Sequence, residues 1–263
     1  IYSKVEAVSA AVGVTGRFVE RAIAAHTEGA KFICIDVAHG HHSNVERAIK
    51  SIKDSVIGDS IHLIAGNVAM PEAFIDLSKW GADAIRVGIG GGSICSTRIQ
   101  TGHGVPTFQS IVACYIAKKT AGLNTSLIAD GGIRSSGDIV KSLAAGADFA
   151  MLGSSLAATS DTPGETFVSA SGDRYKVYRG MASAEAQNDW RGRVGSKEGI
   201  STTIPHKGST SSVLDSIEVG IRSGLSYSGA RTIAELREKC EFVIQTSAGQ
   251  GESSTHISKV SSR

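Results

Sequence analysis

The chain has 263 residues, a formal charge of +2 and 20% charged residues, enough for one large domain. That balance excludes a strongly basic nucleic-acid binder and an acidic tail, and no apolar run reaches the ~18 residues of a membrane span. The four cysteines, Cys34, Cys95, Cys114 and Cys240, form no CxxC pair, which argues against a disulfide framework or a zinc site and for a reducing, cytoplasmic setting.

Short apolar runs alternate with stretches of 3.6-residue periodicity. Strands are expected over Ser9–Val14, Phe32–Val37, Ile61–Val68, Ala84–Ile89, Ser126–Asp130 and Phe149–Gly153. Helices are expected over Arg17–Ala30, Asn44–Lys53, Pro71–Trp80, Gln109–Thr120 and Ser136–Ala145. The strands recur roughly every twenty-odd residues, as in repeated βα units, and their continuous apolar character suits buried parallel strands. Loops before the strands are plain turns, such as Glu28-Gly29-Ala30, Gly81-Ala82 and Gly146-Ala147. Loops after them carry chemistry: His39, His41 and His42, then Asn67, then the glycine-rich stretch 88–95, then Asp130-Gly131-Gly132 and Gly153-Ser154-Ser155. That polarity predicts a TIM (β/α)8 barrel, with an open doubly wound sheet as the alternative. A barrel has eight strands, and phosphate is often held by the loops after the last two. If those loops are Asp130–Gly132 and Gly153–Ser155, two strands are missing from the given chain, and isoleucine rather than methionine at position 1 agrees. Residues 1–263 are then one partial catalytic barrel domain.

From Tyr178 the rhythm breaks. The polar, glycine-rich stretch at about 182–206 is either an active-site flap or a surface loop. A last helix is expected over Thr232–Cys240, and the tail, about 246–263, is expected to be mobile.

Cys95 lies in a loop after a strand, where a thiol is either an exposed nucleophile or packing. Cys34 and Cys114 lie in apolar periodic settings and are expected to be packing. Thr97 either serves a proton beside Cys95 or bonds locally. Asp130 either takes the hydroxyls of a ribose or caps the next helix. Gly131, Gly132, Gly153 and Ser154 let the backbone approach a phosphate. The spacing in Gly88–Gly92 is not a GxGxxG fingerprint. The three histidines lack a fitting carboxylate cluster, so a satisfied or solvent-facing role is expected for them.

The stretch Arg86–Thr97, with Gly66-Asn67-Val68, Ile128–Arg134, Met151–Ser154, Tyr178–Met181, Pro205–Gly208 and Gly220–Gly224 following the same order, resembles the signature of IMP dehydrogenases and GMP reductases. His206 stands where an aromatic residue is more usual. The resemblance implies a homotetrameric TIM-barrel enzyme acting on a purine mononucleotide, GMP or IMP, with no nucleic-acid or membrane partner. It implies that Cys95 attacks purine C2, that Asp130 binds the ribose, and that Ser93, Gly131, Gly132, Gly153, Ser154 and Tyr178 hold the phosphate. Gly180 and Met181 would contact the base, and Asp36, Asn67 and Arg86 would line the nicotinamide side. Carbonyls of Gly88, Gly90 and Cys95 would form a potassium site. In such reductases a threonine–glutamate pair, here Thr97 and Glu198, delivers a proton to the leaving amine. In dehydrogenases a longer flap carries an arginine–tyrosine pair that activates water. Only 23 residues separate Met181 from Pro205 and no Arg-Tyr occurs among them. The expectation is therefore a divergent GMP reductase using NADPH. The alternative is an IMP dehydrogenase using NAD, favoured by the tail from Gln245 to Ser253 and open to a substitute dyad at Trp190-Arg191. A non-catalytic nucleotide-binding barrel is a third reading.

Overall fold

The structure is a computed structural model that describes residues 7–192, 194–195 and 198–253. Six parallel strands form one sheet: β1 (Val8–Val12), β2 (Ala30–Asp36), β3 (His62–Val68), β4 (Ala84–Val87), β5 (Ser126–Asp130) and β6 (Phe149–Met151). Each pairs with its sequence neighbour, in the order β1-β2-β3-β4-β5-β6. A doubly wound sheet reverses its strand order at a switch point, and this one never does. Right-handed crossovers that always step the same way put every helix on one face and curl the sheet into an arc. The fold is therefore TIM-barrel-like, with six strands and open edges at β1 and β6. Those edges leave Phe149 exposed.

The crossover helices are α1 (Phe18–Thr27), α2 (Ser43–Lys53), α3 (Pro71–Trp80), the short α4 (Thr97–Thr101), α5 (Thr107–Thr120) and α6 (Ser136–Ala144). Pro71 opens α3 at a position where its missing N–H costs nothing. Ser135 caps α6 in a capping box with Asp138. Ile33, Ile35, Leu63, Ile85 and Leu127 of the strands pack fully buried against Ile49, Ile52, Phe74, Leu77 and Ile111 of the helices.

Two helix-to-strand turns share one device. In Gly81-Ala82-Asp83 and Gly146-Ala147-Asp148 the glycine sits at φ +113° and +116°, a conformation that favours glycine. The aspartate then reaches sideways. Asp83 Oδ2 accepts the Leu63 N–H and Lys53 Nζ, each at 2.7 Å. Asp148 Oδ2 accepts the Leu127 N–H at 2.9 Å and Lys118 Nζ at 2.8 Å, while Arg237 reaches Oδ1 at 3.0 Å. Each carboxylate thus pins the start of the neighbouring strand. Burial opposes ionisation of Asp148, but the Lys118, Leu127 and Arg237 hydrogen bonds outweigh it and hold its carboxyl below the ordinary value. The stability this contributes is present above the unfolded-chain carboxyl pKa of about 3.9 and is lost as pH falls through the lower folded value. Asp148→Asn is expected to cost about 3 kcal/mol at neutral pH. The loss reads as a fall in the urea midpoint at unchanged m-value, and the gap from wild type narrows below about pH 4.

After β6 the chain leaves the sheet for a small antiparallel sheet, ordered β7 (Thr166–Val168), β8 (Arg174–Arg179) and β9 (Ser201–Pro205). The helix α7 (Ala184–Arg191) lies between β8 and β9. The stretch at about 182–206 is thus a hairpin excursion that contains a helix. Arg193, Ser196 and Lys197 lie outside the described residues.

The chain then returns through α8 (Thr210–Tyr227), an 18-residue helix that the periodicity does not predict. Its serines and glycines are weak helix formers. They are there for packing: a Cβ at Gly220 would lie 2.1 Å from Ser136 Oγ, and one at Gly224 2.6 Å from Val140 Cγ2. α8 therefore rests on α6 through two side-chain-free positions one turn apart. α9 (Ile233–Lys239) follows where a last helix is expected. The tail, expected to be mobile, carries a short α10 (Ser247–Glu252) with no buried residue, and residues 254–263 lie outside the described residues.

Candidate functional site

The chemistry-bearing residues gather at the C-terminal ends of the strands, as they do in TIM barrels. Gly88 ends β4 at φ +141°, and a Cβ there would lie 1.9 Å from the Asp130 carbonyl. Only glycine lets the β4 and β5 loops meet this closely. Gly91 and Gly131 then touch backbone to backbone, a Cβ on Gly131 falling 2.9 Å from the Gly91 carbonyl carbon.

The loop carries Cys95 to the start of α4, where Thr97 is the first helical residue. The Cys95 thiol lies 3.1 Å from Thr97 Oγ1, and Thr97 Oγ1 donates to Glu198 Oε2 at 2.9 Å. Thiol, hydroxyl and carboxylate thus form one hydrogen-bonded line. Backbone register aligns them. The Ser96 N–H donates to the Glu198 carbonyl at 2.9 Å, and the Ile200 N–H donates to the Ile94 carbonyl at 3.1 Å, with Cys95 opposite Gly199 in an antiparallel bridge. Gly180 backs this bridge, its N–H donating to the Ile200 carbonyl at 3.1 Å. The stretch after α7 is therefore stitched to the cysteine loop.

A second group lies beside it. The Tyr178 hydroxyl is 3.5 Å from Ser93 Oγ and 3.5 Å from where a Gly153 Cβ would be. Gly132 follows Gly131 in the same turn at φ +79°. Lys207 Nζ donates to the Ser154 carbonyl and holds that loop from behind; burial pushes its ammonium below the ordinary value. Ser93 and the Tyr178 hydroxyl thus meet beside Gly153, which precedes Ser154, while a Cβ at Gly132 would lie 3.9 Å from the Gly91 carbonyl oxygen. Met181 is exposed.

The third group is ionic. Arg86 of β4 donates to Asp130 Oδ2 through Nε at 3.1 Å and NH2 at 2.8 Å, and to Asp36 Oδ1 through NH1 at 2.6 Å. Asn67 Nδ2 donates to Asp130 Oδ2 and to the Gly88 carbonyl, both at 2.8 Å. Burial disfavours the charged Arg86, but the Asp130 and Asp36 carboxylates outweigh it and hold the guanidinium above its ordinary value.

Of the three carbonyls expected in a potassium site, that of Gly88 accepts Asn67 Nδ2 at 2.8 Å. The Arg98 guanidinium donates to the neighbouring Ile89 and Val105 carbonyls at 3.3 and 2.7 Å. Two of the three histidines have partners outside their group: His41 pairs with Asp76 at 3.0 Å, and His42 Nδ1 accepts the Asn44 N–H as the cap of α2. Among the described residues no group of His, Cys, Asp and Glu could hold a metal ion.

Cys34 and Cys114 are buried packing thiols. Burial raises both, Cys34 despite the Arg86 charge beside it, and pushes Cys114 up to about 12. A thiol titrating at about 12 rather than 9.0 holds on the order of a thousandfold less thiolate near neutrality. Native protein treated with iodoacetamide at about pH 8 is therefore expected to alkylate Cys95 and to spare Cys34 and Cys114 until urea exposes them. Peptide mapping checks this.

Comparisons with known proteins place the chain in a family. A family model described as the IMP dehydrogenase / GMP reductase domain matches residues 3–256. The inosine-5'-monophosphate dehydrogenase of Chlorobaculum tepidum is 44% identical over 261 residues, covering 94% of this chain and 52% of that protein. The GMP reductase of Leishmania major is 39% identical over 264 residues, covering 96% and 53%. A crystal structure of a GMP reductase variant from Trypanosoma brucei, in complex with guanosine 5'-monophosphate, superposes with a TM-score of 0.90 at 39% identity, covering 96% of this chain and 52% of that one. The chain spans about half the length of the curated relatives it matches. Over nearly its whole length, then, the chain belongs to the IMP dehydrogenase / GMP reductase family of purine-nucleotide oxidoreductases.

Proposed function

We infer that the protein is a GMP reductase, converting GMP to IMP and ammonia through a covalent Cys95 adduct. The observation that carries this is the Cys95–Thr97–Glu198 line, with its 3.1 and 2.9 Å links. Cys95 Sγ bonds to purine C2, its proton passing toward Thr97 and Glu198. The C2–N bond to the exocyclic amine then breaks, and Glu198 returns a proton through Thr97 so that the amine leaves as ammonia. The reduced nicotinamide, NADPH in this reading, supplies the hydride that C2 takes up. Cys95 departs as thiolate, and IMP is released. C2 is reduced and the nicotinamide is oxidised.

Around this centre, Asp130 takes the ribose hydroxyls, and Ser93, Gly131, Gly132, Gly153, Ser154 and Tyr178 receive the phosphate. Gly180 and Met181 lie beside the base, and Asp36 faces the nicotinamide. The Trypanosoma brucei relative bound to GMP supports a purine mononucleotide here. A short flap without an arginine–tyrosine pair supports the reductase direction, because hydrolysis of the adduct needs a base to activate water.

The second reading is an IMP dehydrogenase, favoured by the dehydrogenase names of relatives at 44% identity. The test follows reduced-nicotinamide absorbance with full-length protein. Loss of signal and release of ammonia with GMP and NADPH supports the reductase. A gain of signal and formation of XMP with IMP and NAD overturns it.

A further inference from the structure

Arg86, Gly66 and Asp36 occupy one row across the sheet: Asp36 pairs with Gly66, and Gly66 with Arg86. Arg86 and Asp36 are thus two strands apart, yet their side chains meet at 2.6 Å. Gly66 makes that crossing open, since a Cβ there would stand 2.7 Å from Arg86 Cβ. On its other side Arg86 reaches Asp130, two residues further along β5 than its own register partner Ile128. Asn67, at the register shift between Gly66 and Val68, adds a third donor to the same oxygen.

Asp130 Oδ2 therefore takes three donors, from Arg86 Nε, Arg86 NH2 and Asn67 Nδ2, at 2.8–3.1 Å. A carboxylate oxygen offers about two lone-pair directions, so Oδ2 is saturated and the carboxylate plane is set. The other oxygen, Oδ1, is the one left to face a ligand. Arg86 is itself tethered by Asp36, so it cannot follow Asp130 if the carboxylate turns.

We propose that Arg86 is the positioning residue of the nucleotide site: with Asn67 it holds Asp130 by Oδ2 and presents Oδ1 to the ribose diol. This rests on the reading of Asp130 as the ribose carboxylate, and it adds how that carboxylate is aimed and which oxygen does the binding. It gives Arg86 and Asn67, expected on the nicotinamide side, a further role through their donors to Asp130, Asp36 and the Gly88 carbonyl. A lysine at 86 keeps the charge but lacks the fork that satisfies two carboxylates together.

The test is equilibrium binding of GMP and of 2'-deoxy-GMP to full-length protein, by calorimetry. A hydrogen bond to a charged group supports at least about tenfold discrimination in favour of GMP in the wild type. In Arg86→Lys the affinity for GMP falls while that for 2'-deoxy-GMP barely moves, so discrimination shrinks to within about threefold. Asn67→Ala removes one donor of the three and shrinks it less, which keeps the proposal testable if Arg86→Lys fails to fold. Discrimination at the wild-type level in folded Arg86→Lys, or in Asn67→Ala where Arg86→Lys does not fold, would overturn the proposal and leave Asp130 as the ribose carboxylate. A wild type that binds both nucleotides equally would remove the reading of Asp130 and the proposal with it.

Discussion

Replacing Cys95 with alanine is expected to abolish turnover, by at least about 10⁴-fold, while GMP still binds. In this reading the thiol is the group that bonds to purine C2, and neither Cys34 nor Cys114 can substitute for it. Cys34 and Cys114 are buried and held protonated by burial. In the proposed site, binding is assigned to other residues, among them Asp130, Ser93 and Tyr178, which Cys95→Ala leaves in place. Two measurements check this together: GMP affinity by calorimetry, and intact mass after mixing with GMP. Wild type should show a purine adduct that maps to the peptide containing Cys95, and the variant none. An adduct on another residue, or residual turnover within tenfold of wild type, would sink the covalent mechanism. Absence of any adduct or turnover in wild type, with nucleotide still bound, would favour a binding module.

Glu198→Gln should lower kcat by about 10²–10⁴-fold, the range for losing a positioned general acid–base group, and should change the affinity for GMP little. Glutamine keeps the shape and still accepts the 2.9 Å bond from Thr97, but it has no proton to exchange. Thr97→Val should give a loss of the same order, because it cuts the line between thiol and carboxylate. The double variant should be no worse than the poorer single one, since the pair acts as one relay. Steady-state rates and a kcat–pH profile check both. Near-wild-type kcat in Glu198→Gln, or fully additive losses, would overturn the relay and leave the 2.9 Å contact as a structural cap on the cysteine loop.

The βα rhythm was legible because each unit carries its own local signal. Apolar strands such as Phe32–Val37 and Ile61–Val68, amphipathic helices such as Asn44–Lys53, and glycine at the turns report conformation within a few residues. Strand boundaries moved by one or two residues: Ser9–Val14 is observed as Val8–Val12, Phe32–Val37 as Ala30–Asp36 and Phe149–Gly153 as Phe149–Met151. Ala84–Ile89 became Ala84–Val87 because Gly88 leaves the strand at φ +141°. The functional loops were also readable, since glycine, cysteine and aspartate concentrate after the strands rather than before them.

Other features had no local cause. α8 is helical although its serines and glycines argue otherwise, because Gly220 and Gly224 let it lie against Ser136 and Val140 of α6. The β7–β8–β9 sheet is short and half-exposed, so its alternation is weak; Lys176 is buried while Val177 is exposed. Thr97 and Glu198 are 101 positions apart. The resemblance could name them as a pair, but the bridge between Cys95 and Gly199 is what brings them together.

By itself, then, the sequence determined the βα architecture, the strand ends where polar and glycine-rich loops gather and the loop that carries Cys95, because periodicity, turn chemistry and composition act over a few residues. The tertiary structure decided that Arg86 meets Asp36 across the gap at Gly66 and Asp130 on the neighbouring strand, that Glu198 meets Thr97, and that the Gly88 carbonyl accepts Asn67. Those outcomes depend on strand register and loop-to-loop contact, which arise only when distant segments pack.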